Sequence, residues 1–252
     1  MKAAIVTGAS RGLGRATALA LAKEGYALAL CARYEFSDVI KELNGMGATT
    51  MMRMFDVRRY DSVQWFVEDV MSVYGRIDVL VNNAGHATPR TDLESLRRSD
   101  IRQIVNTNLF GTTWLLMKVL PIMKAQGSGT IVNIGSKAGR YPSPGAAMYS
   151  ASKAAVHALT QAVAREVRDT KIRVVTVSPG PMNTEMRQTT DGDAAQQQSP
   201  EFVAGIISDV VTGRLTWAPD ILYPKSRVSL PSGADVLVWK NNVHVFPMEE
   251  LK

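Results

Sequence analysis

Tyr149 and Lys153 stand four residues apart in an Ala- and Ser-rich stretch that reads as a helix over residues 148–169, so both side chains project from one helical face. A phenol with an ordinary pKa of about 10 exchanges protons poorly at neutral pH. A lysine ammonium beside it stabilises the phenolate and moves it toward the operating range, which makes Tyr149 a candidate acid/base and Lys153 its tuner. Ser136 lies 13 residues before Tyr149, just past the apolar run Thr130–Ile134. A hydroxyl at the carboxyl end of a buried strand can hold and polarise a substrate oxygen. Nucleophilic hydrolysis fits poorly, because Ser136 follows Gly135 without a G-x-S-x-G elbow and the histidines at 86, 157 and 244 are scattered. Those histidines show no metal spacing and Cys31 falls inside a predicted strand, so no metal is expected.

A second constellation, Thr7-Gly8-Ala9-Ser10-Arg11-Gly12-Leu13-Gly14, joins the apolar run Ala3–Thr7 to a predicted helix over 12–24. Glycines at a strand-to-helix turn let main-chain amides approach a diphosphate at the positive end of the helix. Gly8, Ser10, Arg11, Gly12, Leu13 and Gly14 are the contacts this predicts. The next strand, 27–32, ends in Cys31-Ala32-Arg33, where an NAD site usually carries a carboxylate for the ribose hydroxyls. Arg33, with Arg11 from the glycine loop, suits a 2′-phosphate instead, so NADP(H) is favoured over NAD(H). After the third strand, Asp56 could accept from an adenine amine beside Val57, or could simply form a turn.

Taken in order, Thr7-Gly8-x-x-x-Gly12-x-Gly14, Asp56, Asn82-Asn83-Ala84-Gly85, Asn108, Ser136, Tyr149-x-x-x-Lys153 and Ser178-Pro179-Gly180 with Thr184 resemble the short-chain dehydrogenase/reductase family over about residues 1–185. Within it, the chain resembles the 3-oxoacyl-carrier-protein reductases. The resemblance implies a nicotinamide cofactor and reversible reduction of a ketone or aldehyde to an alcohol. It gives Ser136 the carbonyl and makes Lys153 a ribose anchor as well as a tuner. Asn108 would order a water beside Lys153; Asn106 is the competing position, and Gly111 three residues on favours Asn108. Asn83, Ala84 and Gly85 would contact the nicotinamide ribose or only pack the sheet. Pro179, Gly180 and Met182 would cradle the carboxamide, with Thr184 near the diphosphate. Gly135 stands where the family often has a second serine, a departure expected to matter little. A non-catalytic dinucleotide sensor of the same fold is the alternative, and the intact Ser136, Tyr149 and Lys153 argue against it.

The elements that must position these residues alternate from the start. Strands are predicted at 3–7, 27–32, 49–55, 77–81, 129–134 and 172–177, and helices at 12–24, 60–74, 99–125 and 148–169. This is an α/β pattern, a doubly wound, mostly parallel sheet with helices on both faces, and the family resemblance implies a single Rossmann-like domain over 1–252. The polar segment 183–200 reads as a loop or lid. Residues 214–252 read as an atypical β-rich segment, with a hairpin of Val236–Trp239 and Val243–Phe246. Pocket walls are expected from 137–147, His86–Pro89 and 183–200, and Lys137, Arg140 and Arg187 raise the prospect of an anionic or carrier-linked substrate. Apolar residues Leu115, Leu116, Val119, Ala155, Leu159 and Val163, taken as outward-facing, point to a homodimer or homotetramer.

Composition agrees with this picture. The 252 residues are 46% apolar and 21% charged, enough for a substantial core. The net charge, 29 − 23 = +6, is dispersed without an aromatic-basic stripe, so no nucleic-acid partner is expected. One cysteine excludes an intrachain disulfide and suits a reducing cytoplasm. No signal-peptide pattern and no apolar run of membrane length are seen, so no membrane partner is expected, only a small-molecule carbonyl or alcohol substrate.

Overall fold

The computed structural model describes residues 1–180, 182 and 198–215, together with the main chain of residues 226–229, 235–239 and 242–245. Six short apolar runs form parallel strands: β1 (Ala3–Thr7), β2 (Ala27–Ala32), β3 (Thr50–Met54), β4 (Val79–Asn82), β5 (Ser128–Ile134) and β6 (Lys171–Pro179). Their order across the sheet is β3-β2-β1-β4-β5-β6. The chain therefore winds outward from β1 in one direction and from β4 in the other, and the carboxyl ends of β1 and β4 open the crevice where ligands of such sheets bind. In register, Val6 lies beside Val81, so the loops after β1 and β4 emerge side by side.

Alternation along the strands divides the core. Ala4, Val6, Val79, Val81 and Val132 face one layer, while Ile5, Leu80 and Ile131 face the other. Helices α1 (Gly12–Lys23), α2 (Ser37–Gly45) and α7 (Pro200–Thr212) supply Leu13, Leu21, Val39, Leu43, Val203 and Ile207 to the first layer. Helices α3 (Tyr60–Tyr74), α5 (Gly111–Gln126) and α6 (Ala147–Glu166) supply Val63, Phe66, Val70, Leu115, Val119 and Val163 to the second. Both faces are covered, as a parallel sheet requires. The predicted α/β doubly wound fold is the fold observed.

The details depart from expectation in three places. The predicted helix 99–125 is α4 (Arg98–Val105), one wide π turn over Asn106–Phe110, and α5; such turns concentrate where a helix must re-aim a functional side chain. Helix α2 fills the crossover segment before the third strand, which had been given no range, and α7 was not anticipated. The start of α7 is written in Ser199, whose hydroxyl accepts from Phe202 N at 3.1 Å, and in Pro200 at the first helical position. Finally, Leu115, Leu116, Val119 and Val163 do not face outward, since each is at most 8% exposed within the chain's own core. They give no support to a subunit contact, because α5 and α6 turn their apolar stripes onto the sheet.

Beyond β6 the sheet continues with β7 (Ser226–Ser229), β8 (Asp235–Trp239) and β9 (Asn242–Val245). β9 pairs parallel with β6, and β8 runs antiparallel to both β9 and β7. Among the described residues no helix is long and apolar enough to cross a membrane.

Candidate active site

The glycine loop is shaped by its neighbour after β4. Asn83 Nδ2 donates to Thr7 O at 2.8 Å and to Gly8 O at 3.2 Å, while the main-chain amides of Asn83 and Ala84 donate to Thr7 Oγ1 at 3.0 and 2.9 Å. Gly8 sits in the left-handed region at φ +65°, and a Cβ on it would meet Ala84 Cα at 2.9 Å. At Gly14 a Cβ would come 2.2 Å from Gly8 O and 2.5 Å from Asn83 Nδ2. Neither contact is the flexible end of a long chain, so Gly14→Ala is expected to lower stability by about 3 kcal/mol and the thermal midpoint by roughly 6–12 °C. Gly205→Ala, in the interior of α7 with nothing within 4 Å of its Cβ, is the control that should stabilise by about 0.5–1 kcal/mol.

On the other side of the crevice, a buried polar chain seats α6 on the sheet. Asn82 Nδ2 donates to Asn133 Oδ1 at 2.8 Å, Asn133 Nδ2 to Thr160 Oγ1 at 2.9 Å, and Thr160 Oγ1 to Val156 O at 2.7 Å. This fixes where the first turns of α6 carry Tyr149 and Lys153. Lys153 is buried, and its Nζ donates to Ile134 O at 2.6 Å, at the end of β5. Burial alone drives its pKa down to about 8. Tyr149 moves the other way: burial raises its phenol above the ordinary value, against the opposing pull of a hydrogen bond from Ser136. The Lys153 ammonium, 6.0 Å from the Tyr149 ring centre, does not reverse this. The direction is opposite to the phenolate stabilisation expected from the i, i+4 spacing, because the low dielectric acts on both groups and favours the neutral form of each.

Asn108 is placed by the π turn with almost no exposure. Its Oδ1 accepts from His86 N at 2.7 Å, and its Nδ2 donates to His86 O at 3.0 Å and Ser152 Oγ at 2.9 Å. It thus clamps the main chain after Gly85, whose Cβ position would lie 3.5 Å from Asn108 Oδ1 and 3.8 Å from Lys153 Nζ.

Two residues given no role in the site by the sequence hold the Pro179-Gly180 turn. His157, one turn beyond Lys153, places Nε2 2.9 Å from Ser178 Oγ. Burial first, then the charges of Lys153 and Arg140, lower its pKa to about 4, so it is neutral at physiological pH. Gly135 makes room for this pair: a Cβ there would stand 2.5 Å from His157 Nε2 and 2.6 Å from Ser178 Oγ. The missing second serine is therefore not a neutral departure. Gln198, inside the segment read as a polar surface excursion, is instead 7% exposed, and its Oε1 accepts from Gly180 N at 3.2 Å.

One cavity gathers most of the predicted site. Gly8, Ser10, Arg11, Gly12, Leu13, Gly14, Arg33, Val57, Asn83, Ala84, Gly85, Ser136, Tyr149, Lys153, Pro179, Gly180 and Met182 all line it, and no Asp or Glu among the described residues does. Arg33 is exposed at the end of β2, with its guanidinium 5.4 Å from the ring centre of Tyr34, another lining residue. Asp56 is not brought to the lining. Its Oδ1 accepts from Arg58 N at 3.0 Å and its Oδ2 from Arg58 Nε at 2.8 Å, which makes the turn that was one of its two readings. Thr184, Arg187 and residues 183–197 lie outside the described residues, while Lys137 and Arg140 follow Ser136 in a short half-buried turn. Among the described residues no three His, Cys, Asp or Glu side chains converge as a metal set.

Residues 2–195 match the profile of the short chain dehydrogenase family. The chain belongs to that family. Among relatives of this short-chain dehydrogenase is a 3-oxoacyl-[acyl-carrier-protein] reductase of Staphylococcus epidermidis, 37% identical over 199 residues that make up 78% of this chain and 81% of the relative. Another, named for the same activity, comes from Thermotoga maritima and is 36% identical over 233 residues, covering 85% and 94% of the two chains. Solved structures agree with the fold. A metagenomic short-chain oxidoreductase in complex with NADP superposes with a TM-score of 0.74 at 31% identity, covering 84% of this chain and 90% of that one. An alcohol dehydrogenase from the archaeon Thermococcus sibiricus, complexed with 5-hydroxy-NADP, gives 0.76 at 29% identity over 84% and 91%.

Proposed function

We propose that this short-chain dehydrogenase is an NADP(H)-dependent oxidoreductase that reduces a ketone or aldehyde to an alcohol, reversibly. The observation that carries the reading is the single cavity with Ser136, Tyr149 and Lys153 at one end and Arg11 and Arg33 at the other. Its walls suit the cofactor. The glycine loop exposes main chain at the amino end of α1, where an anion is stabilised, and the clashes at Gly8 and Gly14 show that side chains there are excluded. The NADP-bound solved relatives support the same choice of cofactor.

Bound there, a reduced nicotinamide dinucleotide supplies the hydride. The chain's own residues handle the oxygen. Ser136, whose hydroxyl bonds the Tyr149 phenol, offers its proton to the substrate oxygen at the same spot. Tyr149 donates its phenolic proton to that oxygen as negative charge develops on it. Lys153 holds ribose hydroxyls and keeps a positive charge beneath the phenol. The turn at Pro179-Gly180, backed by His157 through Ser178 and by Gln198, reads the carboxamide.

Arg33 decides between the two dinucleotides. A 2′-phosphate paired with a guanidinium is worth about 1.5–3 kcal/mol, so Arg33→Ala is expected to weaken NADPH binding about 10- to 100-fold in a fluorescence titration. NADH binding should change less than threefold. Equal losses for both, or tighter binding of NADH than NADPH by the unaltered protein, would falsify the NADP assignment.

A further inference from the structure

Tyr149, Lys153 and His157 follow one another at four-residue steps along α6, so they form a single row on its face. Lys153 Nζ donates to Ile134 O at the end of β5. One turn on, His157 Nε2 meets Ser178 Oγ at 2.9 Å. Ser178 is 1% exposed and leads directly into Pro179 and Gly180, which line the same cavity as Tyr149. The row therefore runs from the phenol to the root of that turn. Space for its last member comes from Gly135, where a Cβ would stand 2.5 Å from His157 Nε2, 2.6 Å from Ser178 Oγ and 2.5 Å from Thr176 Cγ2. Two of those atoms are the bonded pair itself, so a side chain at 135 and the His157–Ser178 bond exclude each other. With its pKa lowered to about 4, the imidazole is neutral at physiological pH and adds no second charge beside Lys153.

We propose that His157 is a positioning residue for the nicotinamide: through Ser178 it ties the Pro179-Gly180 turn to the helix that bears the proton donor, and Gly135 is the matching partner that keeps the place open. The inference rests on the reductase reading above, which gives this turn the carboxamide and Tyr149 the substrate oxygen. Hydride transfer needs the ring held at a fixed place against Tyr149, and a misplacement of about 1 Å costs up to about 10²-fold. The effect on binding is smaller, the size of one hydrogen bond.

The test compares the unaltered protein with His157→Ala, His157→Gln, Ser178→Ala, Gly135→Ala and the double variant Gly135→Ala/His157→Ala. Calorimetric titrations use NADPH and 2′-phospho-ADP-ribose, which has no nicotinamide, and single-turnover reduction of 4-nitrobenzaldehyde follows the hydride step. His157→Ala and Ser178→Ala are each expected to weaken NADPH about 3- to 10-fold and to slow the hydride step about 10- to 100-fold, while 2′-phospho-ADP-ribose binding holds within about twofold. His157→Gln, whose amide can reach Ser178, should recover most of both losses. Gly135→Ala should resemble His157→Ala, and the double variant should stay within about twofold of the worse single one. Equal losses for the two ligands, losses that multiply in the double variant, or NADPH binding untouched in both His157→Ala and Ser178→Ala would overturn the proposal; Ser178→Ala, which removes a single oxygen, decides the matter if the others do not fold. If no protein reduces the aldehyde but the loss confined to NADPH is seen, the positioning stands and the reductase reading falls. If the unaltered protein binds neither ligand, both fall.

Discussion

Tyr149→Phe is expected to reduce kcat/KM for NADPH-dependent carbonyl reduction by about 10³-fold, within the range that a positioned general acid contributes, while NADPH affinity stays within about threefold. The substitution keeps the ring of a residue that lines the cavity and removes only the proton donor. Burial holds the phenol protonated, since its pKa lies above the ordinary value. The group therefore carries its proton at neutral pH, and its loss cannot be recovered by lowering the pH. Ser136→Ala should lose less, about 10²-fold, because it removes a hydrogen bond to the developing charge and leaves the proton in place. Stopped-flow fluorescence for binding and steady-state kinetics for turnover separate the two effects. Retention of more than a tenth of the activity in Tyr149→Phe would mean that another group supplies the proton.

What could be read from the chain before its fold was known was local. The glycine loop, Tyr149 with Lys153, and Ser136 behind β5 are each written within a dozen residues, and a strand-to-helix turn or one helical face is enough to place them. The residues that hold these groups in position depend on contacts between distant segments. Asn83 shapes a loop 75 residues upstream of it, and His157 reaches Ser178 only because Gly135 leaves the space. Gln198 resembled surface sequence because its neighbours are polar, yet one amide bonded to Gly180 buries it. Asp56 could face ligand or turn, and the deciding partner, Arg58, is two residues away but visible only once the guanidinium has a direction. The outward-facing stripe on α5 and α6 failed for a related reason. Periodicity shows that a helix has an apolar face and is silent on whether sheet or subunit covers it.

Lys153→Met should separate function from stability. In the folded protein burial lowers the Lys153 pKa to about 8 from the ordinary lysine value of about 10.5, so the fold disfavours its charged form. Between those values the unfolded chain binds more protons than the folded one, and stability rises with pH across that window; below about pH 8 the full penalty, about 3 kcal/mol, is present. Methionine removes the penalty but leaves Ile134 O without its partner, which costs about 1–3 kcal/mol. The variant is expected to be as stable as the unaltered protein at pH 7 or up to about 2 kcal/mol more so, and to lose any advantage by about pH 10.5 in thermal melts. Activity should fall at least 10²-fold, because ribose anchoring and the charge beneath the phenol go together. In the unaltered protein kcat/KM for reduction should hold below pH 8 and decline above it as Lys153 loses its proton, with Tyr149 still a phenol across that limb. A Met variant clearly less stable at pH 7 would show that the ammonium and Ile134 O together outweigh the cost of burial, and the lysine would then belong to the architecture of the site as much as to its chemistry.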